Sequence, residues 1–232
     1  MQKLHLMKLE HQIEIYGDKN DMKVIAINAS PRKGWNTDLL VKEAARGAAE
    51  SGADIEYVDL YRLEKFTGCI SCFGCMKAPN EGRCVCNDGL HGTLEKIRDA
   101  DALIIGSPFY FGDMTAGFRA LYERLMFQYL TYNAEVACCN KRKIPVLILA
   151  SGNGDEQAFK QFGMESTMEN YKNMLSAFIG PTEYLYAADT LQVNDYSQYN
   201  WTVFDPASKV KSRKEQFPLD LQRAYEAGRN IL

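Results

Sequence analysis

Two groups of residues in this chain have types and spacing suited to chemistry. The first is Ser30-Pro31-Arg32-Lys33-Gly34-Trp35-Asn36-Thr37. It follows an apolar run, Val24-Ile25-Ala26-Ile27, and precedes a stretch of helical character. A loop with hydroxyls, a cation and a glycine at the start of a helix suits a phosphate. The first helical N–H groups lack partners within the helix, and the macrodipole places partial positive charge there. Ser30 and Thr37 add hydroxyls, Arg32 adds a charged fork, and Gly34 permits positive φ. The plain alternative is a strand–turn–helix with Thr37 as the cap. Neither Gly-x-Gly-x-x-Gly nor Gly-x-x-x-x-Gly-Lys-Ser/Thr is present. Hydroxyls in place of glycines suit a terminal phosphomonoester better than a pyrophosphate, which needs close backbone approach.

The second group is Cys69, Cys72 and Cys75, in Cys-x2-Cys-x2-Cys spacing, followed by Cys84 and Cys86. Three thiolates so spaced can converge on one metal centre, with Cys84 or Cys86 as a fourth ligand. Spacing alone leaves three states open: a 4Fe–4S cluster, zinc, or bare thiols that respond to oxidants. Without metal, packing of Phe66, Ile70, Phe73 and Met76 must hold the loop. Cys138 and Cys139 read as packing residues. His5, His11 and His91 show no ligand spacing, and Asp155 and Glu156 read as solvated charges.

A third segment, Ser107-Pro108-Phe109-Tyr110-Phe111-Gly112, carries three consecutive aromatics after a buried strand. Such rings suit a flat, polarizable ligand such as an isoalloxazine, with Gly112 allowing close approach. The alternative is that one or two of them seal the sheet against the next helix. Ser151-Gly152-Asn153, in an open polar loop, can line the other side, although these residues are also ordinary turn formers. No nucleophile–base–acid set is evident, which is consistent with a cofactor that carries the reacting electrons.

The elements that must position these segments are read from hydrophobic pattern. Strands are expected over 23–29, 54–60, 102–106, 144–150 and 182–188. Helices are expected over 38–51, 94–100, 115–130, 165–179 and 220–231. Alternation of strands and helices predicts an α/β, flavodoxin-like three-layer sandwich. Its five-stranded parallel sheet has order 2-1-3-4-5 and helices on both faces. Ligands in that fold sit beyond the strand C-termini, which gathers the loops at 30–37, 107–113 and 151–155. The expected division is an N-terminal extension over 1–21, a flavodoxin-like ligand-binding domain over 22–190 with a cysteine-rich insertion at 61–90, and a tail over 191–232.

Composition sets bounds. With 232 residues, 46% hydrophobic, one ordinary domain has a full core. A formal net charge of −3 without a basic block disfavours nucleic acid. No apolar run reaches membrane-spanning length, and the first residues lack a signal-peptide core. Seven cysteines without a secretion signal point to a reducing, cytoplasmic setting.

The segments at 27–37 and 105–115 resemble the phosphate and ring loops of the NADPH-dependent FMN reductase group of flavodoxin-like proteins. Gly68-Cys69-Ile70-Ser71-Cys72-Phe73-Gly74-Cys75 with Gly82-Arg83-Cys84 is similar to its iron–sulfur flavoprotein branch. The likeness covers roughly residues 22–190. It implies FMN, with phosphate held by Ser30, Arg32, Asn36 and Thr37 and the ring by Pro108 to Gly112. It also implies NAD(P)H as co-substrate, a small-molecule or protein electron acceptor, and a homodimer or homotetramer with FMN near an interface. The chain departs from the pattern at Trp35, where the family has a small or polar residue. The gap from Cys75 to Cys84 is also longer than usual in that branch. Two functions follow from the resemblance: hydride transfer from NAD(P)H through FMN to an acceptor, or non-enzymatic shuttling of electrons between FMN, a cluster and partner proteins. A sensor whose flavin is structural stands behind them.

Overall fold

The computed structural model describes residues 22–232; the extension expected over 1–21 lies outside the described residues. Five parallel strands form the sheet: β1 (Lys23–Asn28), β2 (Asp54–Asp59), β3 (Ala102–Tyr110), β5 (Val146–Ser151) and β6 (Thr182–Ala187). Their order is β2-β1-β3-β5-β6, and the short β4 (Asp113–Met114) pairs antiparallel with β3. Counting only the parallel strands, this is the expected 2-1-3-4-5. The central strands read as near-continuous buried apolar runs because helices cover both faces.

The helices are α1 (Asn36–Glu50), α2 (His91–Asp99), α3 (Ala116–Phe127), α4 (Glu156–Gln161), α5 (Met164–Phe178), α6 (Pro206–Glu215) and α7 (Phe217–Arg229). One core lies between the sheet and α2, α3 and α5, around Leu94, Phe118, Leu121 and Tyr171. The other lies under α1 and α7, around Val41, Ala44, Phe217 and Ala224. α1 and α7 pack so closely that a Cβ at Gly228 would stand 1.9 Å from the Ala44 carbonyl oxygen.

Three local readings are corrected. β3 does not end at Gly106 but runs to Tyr110 and folds back, pairing Phe109 with Met114 and Tyr110 with Asp113. The aromatic segment is therefore a hairpin rather than a loop, as its strand propensity allows. α4 and α6 were not expected from the sequence. α4 is short, with Asp155 as its N-cap accepting from the Ala158 N–H at 2.8 Å, so Asp155 is a structural cap rather than a free charge. α6 begins with Asp205 as cap and Pro206 at its first position.

Candidate functional site

The parallel register brings the three expected loops together. Asn28 lies beside Gly106, and Ser107 and Pro108 beside Ala150 and Ser151. At this end of the sheet lies a cavity of about 730 Å3. Ser30, Arg32, Trp35, Asn36, Thr37, Pro108, Phe109, Tyr110, Phe111, Gly112, Ser151, Gly152 and Asn153 all line it.

The phosphate-type loop is braced from below. The Thr37 and Ser151 hydroxyls are 2.7 Å apart, tying α1 to the third loop. Thr115 Oγ1 donates to the Ala29 carbonyl at 2.7 Å, and its N–H donates to Ser107 Oγ at 3.1 Å, so the hairpin is tied to the end of β1. Thr37 is inside α1 rather than at its cap. The N-cap position belongs to Trp35, whose side chain makes no capping bond. No side-chain cap from Trp35 therefore satisfies the N–H groups of the first helical turn.

Lys33 and Gly34 do not line the cavity. Gly34 turns the loop at φ +72° and donates its N–H to Asp38 Oδ2 at 2.5 Å. Asp38 is fully buried and also accepts from Lys42 at 2.7 Å and from the Tyr57 hydroxyl. Burial pushes the Asp38 carboxyl up, but Lys42, Tyr57 and the Gly34 N–H outweigh it and hold the group below its ordinary value. Burial, then the Asp38 charge, push Tyr57 far upward, so it stays a hydrogen-bond donor.

The three aromatics divide. Phe109 packs edge-on against Phe159 and Tyr186, each at 6.0 Å, and seals the sheet. Tyr110 and Phe111 are exposed, Phe111 completely. Phe111 and Gly112 have φ of +54° and +82°, the pattern of a type I′ hairpin turn. A bulky residue in the left-handed region is strained, and such strain clusters at functional sites. Tyr171, from α5, donates to Asp113 Oδ1 at 2.6 Å and fixes the hairpin's return strand.

Residues not foreseen complete the cavity: Phe162, Met164, Thr190, Leu191, Gln192, Val193 and Trp201. The side chains of the phosphate-type loop already reach several of them. Arg32 donates to the Gln192 carbonyl at 2.6 Å and lies over the Trp35 ring at 4.1 Å. Trp35 Nε1 and Asn36 Nδ2 both donate to the Leu191 carbonyl, at 3.1 and 2.8 Å. Two residues of the wall, Asn153 and Gln192, have buried carboxamide oxygens without a partner among the described residues. They fit a ligand with hydroxyl or ring N–H donors, which FMN carries beside its phosphate.

The cysteine segment is built differently. Cys69, Cys72, Cys75, Cys84 and Cys86 line one small void of about 20 Å3, with no carboxylate or imidazole on its wall. All are free thiols. Burial pushes the Cys75 and Cys86 thiols up. Among the described residues, no three Cys, His, Asp or Glu side chains are arranged to hold a metal ion. Packing does not hold this loop as expected: Ile70 is 61% exposed and Phe73 44%, although Phe73 meets Phe127 edge-on at 5.7 Å and Phe66 touches the core. The anchor is Arg124, on α3, whose side chain is 1% exposed. It donates to Asp88 Oδ1 at 2.5 Å, the Cys86 carbonyl at 2.6 Å and Cys84 Sγ at 3.3 Å. Gln128, one turn on, accepts the Cys84 N–H at 3.2 Å. Cys138 and Cys139 pack against the core, as expected.

This sheet order, with a cofactor-sized cavity at the switch between β1 and β3, defines a flavodoxin-like protein. Residues 22–166 match the NADPH-dependent FMN reductase family, and the chain belongs to it. Family membership makes it a flavin-dependent oxidoreductase. It is 35% identical over 152 residues to an iron–sulfur flavoprotein of Methanocaldococcus jannaschii, covering 66% of this chain and 70% of that protein. It is 26% identical over 188 residues to an iron–sulfur flavoprotein of Methanosarcina thermophila, covering 81% and 85%. An NAD(P)H:quinone oxidoreductase from Methanothermobacter marburgensis superposes with a TM-score of 0.66 at 18% identity, covering 91% of this chain and all of that one. An azoreductase from Bacillus anthracis gives 0.64 at 15% identity, covering 90% and 99%. At these identities the two structures share the fold. No helix among the described residues is long and apolar enough to cross a membrane.

Proposed function

We propose that this protein is an FMN-dependent oxidoreductase that accepts hydride from NAD(P)H and reduces a second acceptor. The carrying observation is the single cavity that joins phosphate-type donors, an exposed aromatic hairpin and two unpartnered carboxamide oxygens. Bound FMN supplies the hydride acceptor and the two-electron store. Ser30, Arg32, Asn36, Thr37 and the N-terminus of α1 hold its phosphate. Pro108 to Gly112 hold its ring, and Ser151, Gly152 and Asn153 line the facing wall. Tyr110 and Phe111 offer ring faces to the nicotinamide or the acceptor. The test is steady-state oxidation of NADH and of NADPH by FMN-loaded protein with ferricyanide as acceptor. Oxidation that requires bound FMN supports this reading; its absence in the loaded protein contradicts it.

The cysteine void favours a second element of function. Among the described residues no three thiols are arranged to hold a metal ion, so zinc and an iron–sulfur cluster alike require the loop to rearrange. A wall that gathers five thiols suits an iron–sulfur cluster, and the relatives above are named as iron–sulfur flavoproteins. Cys69, Cys72, Cys75 and Cys84 are the proposed ligands of a 4Fe–4S cluster, which would supply one-electron exchange. The void, about 20 Å3, has room for little more than one water, so loading requires the exposed segment at 70–73 to move outward. Protein carrying such a cluster could pass electrons singly to partner proteins, the shuttle reading. Iron and acid-labile sulfide after anaerobic reconstitution decide: about four irons per chain support the cluster, and none leaves a thiol loop.

Exposed Tyr110, Phe111 and Phe162 beside the cavity, together with the family relationship, support a homodimer or homotetramer with the site near an interface. A monomeric mass at micromolar concentration contradicts that arrangement.

A further inference from the structure

The family match ends at residue 166, yet the cavity has a wall from beyond it. We propose that this C-terminal wall is a working part of the flavin site. In it, Gln192 contacts the bound flavin through its carboxamide, and Lys209 is a positioning residue for the loop at 151–154. The inference rests on the flavin reading of the cavity.

Gln192 is held at its backbone from two sides. Its N–H donates to the Tyr196 hydroxyl at 3.1 Å, and its carbonyl accepts from Arg32 at 2.6 Å. Its carboxamide, on a residue that lines the cavity, makes no hydrogen bond among the described residues, and its oxygen is buried. A buried amide oxygen without a partner costs free energy that folding alone does not recover. A ligand that donates to it removes that cost. Asn153 Oδ1 is in the same condition, on the same cavity. Two such acceptors suit the hydroxyls of a ribityl chain or the N–H of a flavin ring, and neither suits a phosphate.

Lys209 explains how Asn153 is placed. This lysine of α6 is 5% exposed, an unusual state for an ammonium. It donates to the Asn153 carbonyl and to Asp189. Ser212, one turn on, donates to the Asp189 carbonyl at 3.0 Å, and Arg213 donates to Asn36 Oδ1 at 3.0 Å. α6 therefore grips both the third loop and the first turn of α1.

The test compares FMN with riboflavin, which shares ring and ribityl chain but lacks the phosphate. Affinities are read from flavin fluorescence quenching on the full chain, with melting of the apoprotein as a control. Gln192→Leu is expected to weaken both flavins by the same five- to tenfold, the loss of about one hydrogen bond. Lys209→Met is expected to weaken both as well, and Lys209→Arg to restore most of the affinity. If Lys209→Met fails to fold, Gln192→Leu still decides the contact, and Lys209→Gln, which keeps a donor without the charge, decides the positioning: weaker binding of both flavins in a protein that melts like wild type supports it, and unchanged affinity overturns it. Unchanged affinity in Gln192→Leu overturns the contact. A loss confined to FMN would place Gln192 at the phosphate and overturn the assignment made here. Wild-type protein that binds neither flavin overturns the flavin reading itself and this inference with it.

Discussion

The proposed flavin cavity and the cysteine void lie at the two ends of α3, and they are held in opposite ways. At the cavity, short polar side chains from β1, β3, β5 and α1 bond to one another, as in Thr37 with Ser151 and Thr115 with the Ala29 carbonyl. No single group carries that arrangement. At the void, one buried guanidinium gathers Cys84, Cys86 and Asp88, while the segment around Ile70 to Phe73 is open to solvent. The first region is preorganised by the sheet. The second has a fixed half, on α3, and a free half that a bound group would order, since ligation energy offsets the entropy of fixing it.

This contrast breaks most sharply at Arg124. Arg124→Leu leaves Asp88 without its partner and the Cys84–Cys86 backbone without its anchor. Removing one member of a buried pair costs about 3 kcal/mol or more. Thermal unfolding should show that loss, and thiol labelling should show faster reaction at Cys84. FMN affinity of the folded protein should not change. A stable variant with slow labelling would show that the loop is held by something other than this guanidinium.

At the flavin end the corresponding change is milder in stability and specific to the ligand. Arg32 is exposed, stacked on Trp35 and bonded to a carbonyl, so the fold does not depend on it. Arg32→Ala should cost about 1.5–3 kcal/mol of FMN affinity, the range for a hydrogen bond to a charged group. Titration of the variant checks this, and unchanged affinity would remove Arg32 from the phosphate.

Phe111 separates stability from function. A non-glycine residue in the left-handed region costs about 1–2 kcal/mol, and asparagine tolerates it. Phe111→Asn should therefore raise stability by about 1 kcal/mol while weakening use of the nicotinamide or acceptor. Denaturant unfolding together with KM for both substrates distinguishes these effects. A variant that is neither more stable nor altered in KM would show the ring to be idle.

The smallest expected effect is on acid stability. The depressed Asp38 carboxyl stabilises the fold fully above its ordinary value of 3.8, and that contribution is lost as pH falls through the lower folded value. Asp38→Asn should flatten this limb of the stability profile. Asp59, which burial and then the Asp38 charge push up, works in the opposite sense and favours the folded state as pH falls. An unchanged acid limb in Asp38→Asn would show that other carboxyls dominate.

Much of this was legible in the sequence because local chemistry announces it. The buried strands are apolar runs, and the parallel order follows from their alternation with helices. The loop at 30–37 shows its hydroxyls and its cation directly. The tail wall was not legible: Arg32 meets Gln192 across 160 positions, and Asn36 meets Leu191 across 155. No local pattern marks such partners. Lys209 is similar, since a lysine in a charged helix reads as solvated until its burial is known. The Asp205-Pro206 start of α6 was a readable signal that its charged composition concealed. Nothing in the sequence marks Arg124 among the polar positions of its helix, and only the fold turns it toward the cysteines.

The central claim is that the cavity holds FMN for hydride transfer from a nicotinamide. Its most direct test is an anaerobic titration of the FMN-loaded protein with NADPH and, separately, NADH, followed through the flavin absorbance. One of the two is expected to bleach the flavin band with about one equivalent per bound FMN, as a two-electron transfer requires. A flavin band that persists with excess of both, in protein shown to hold FMN, would contradict it.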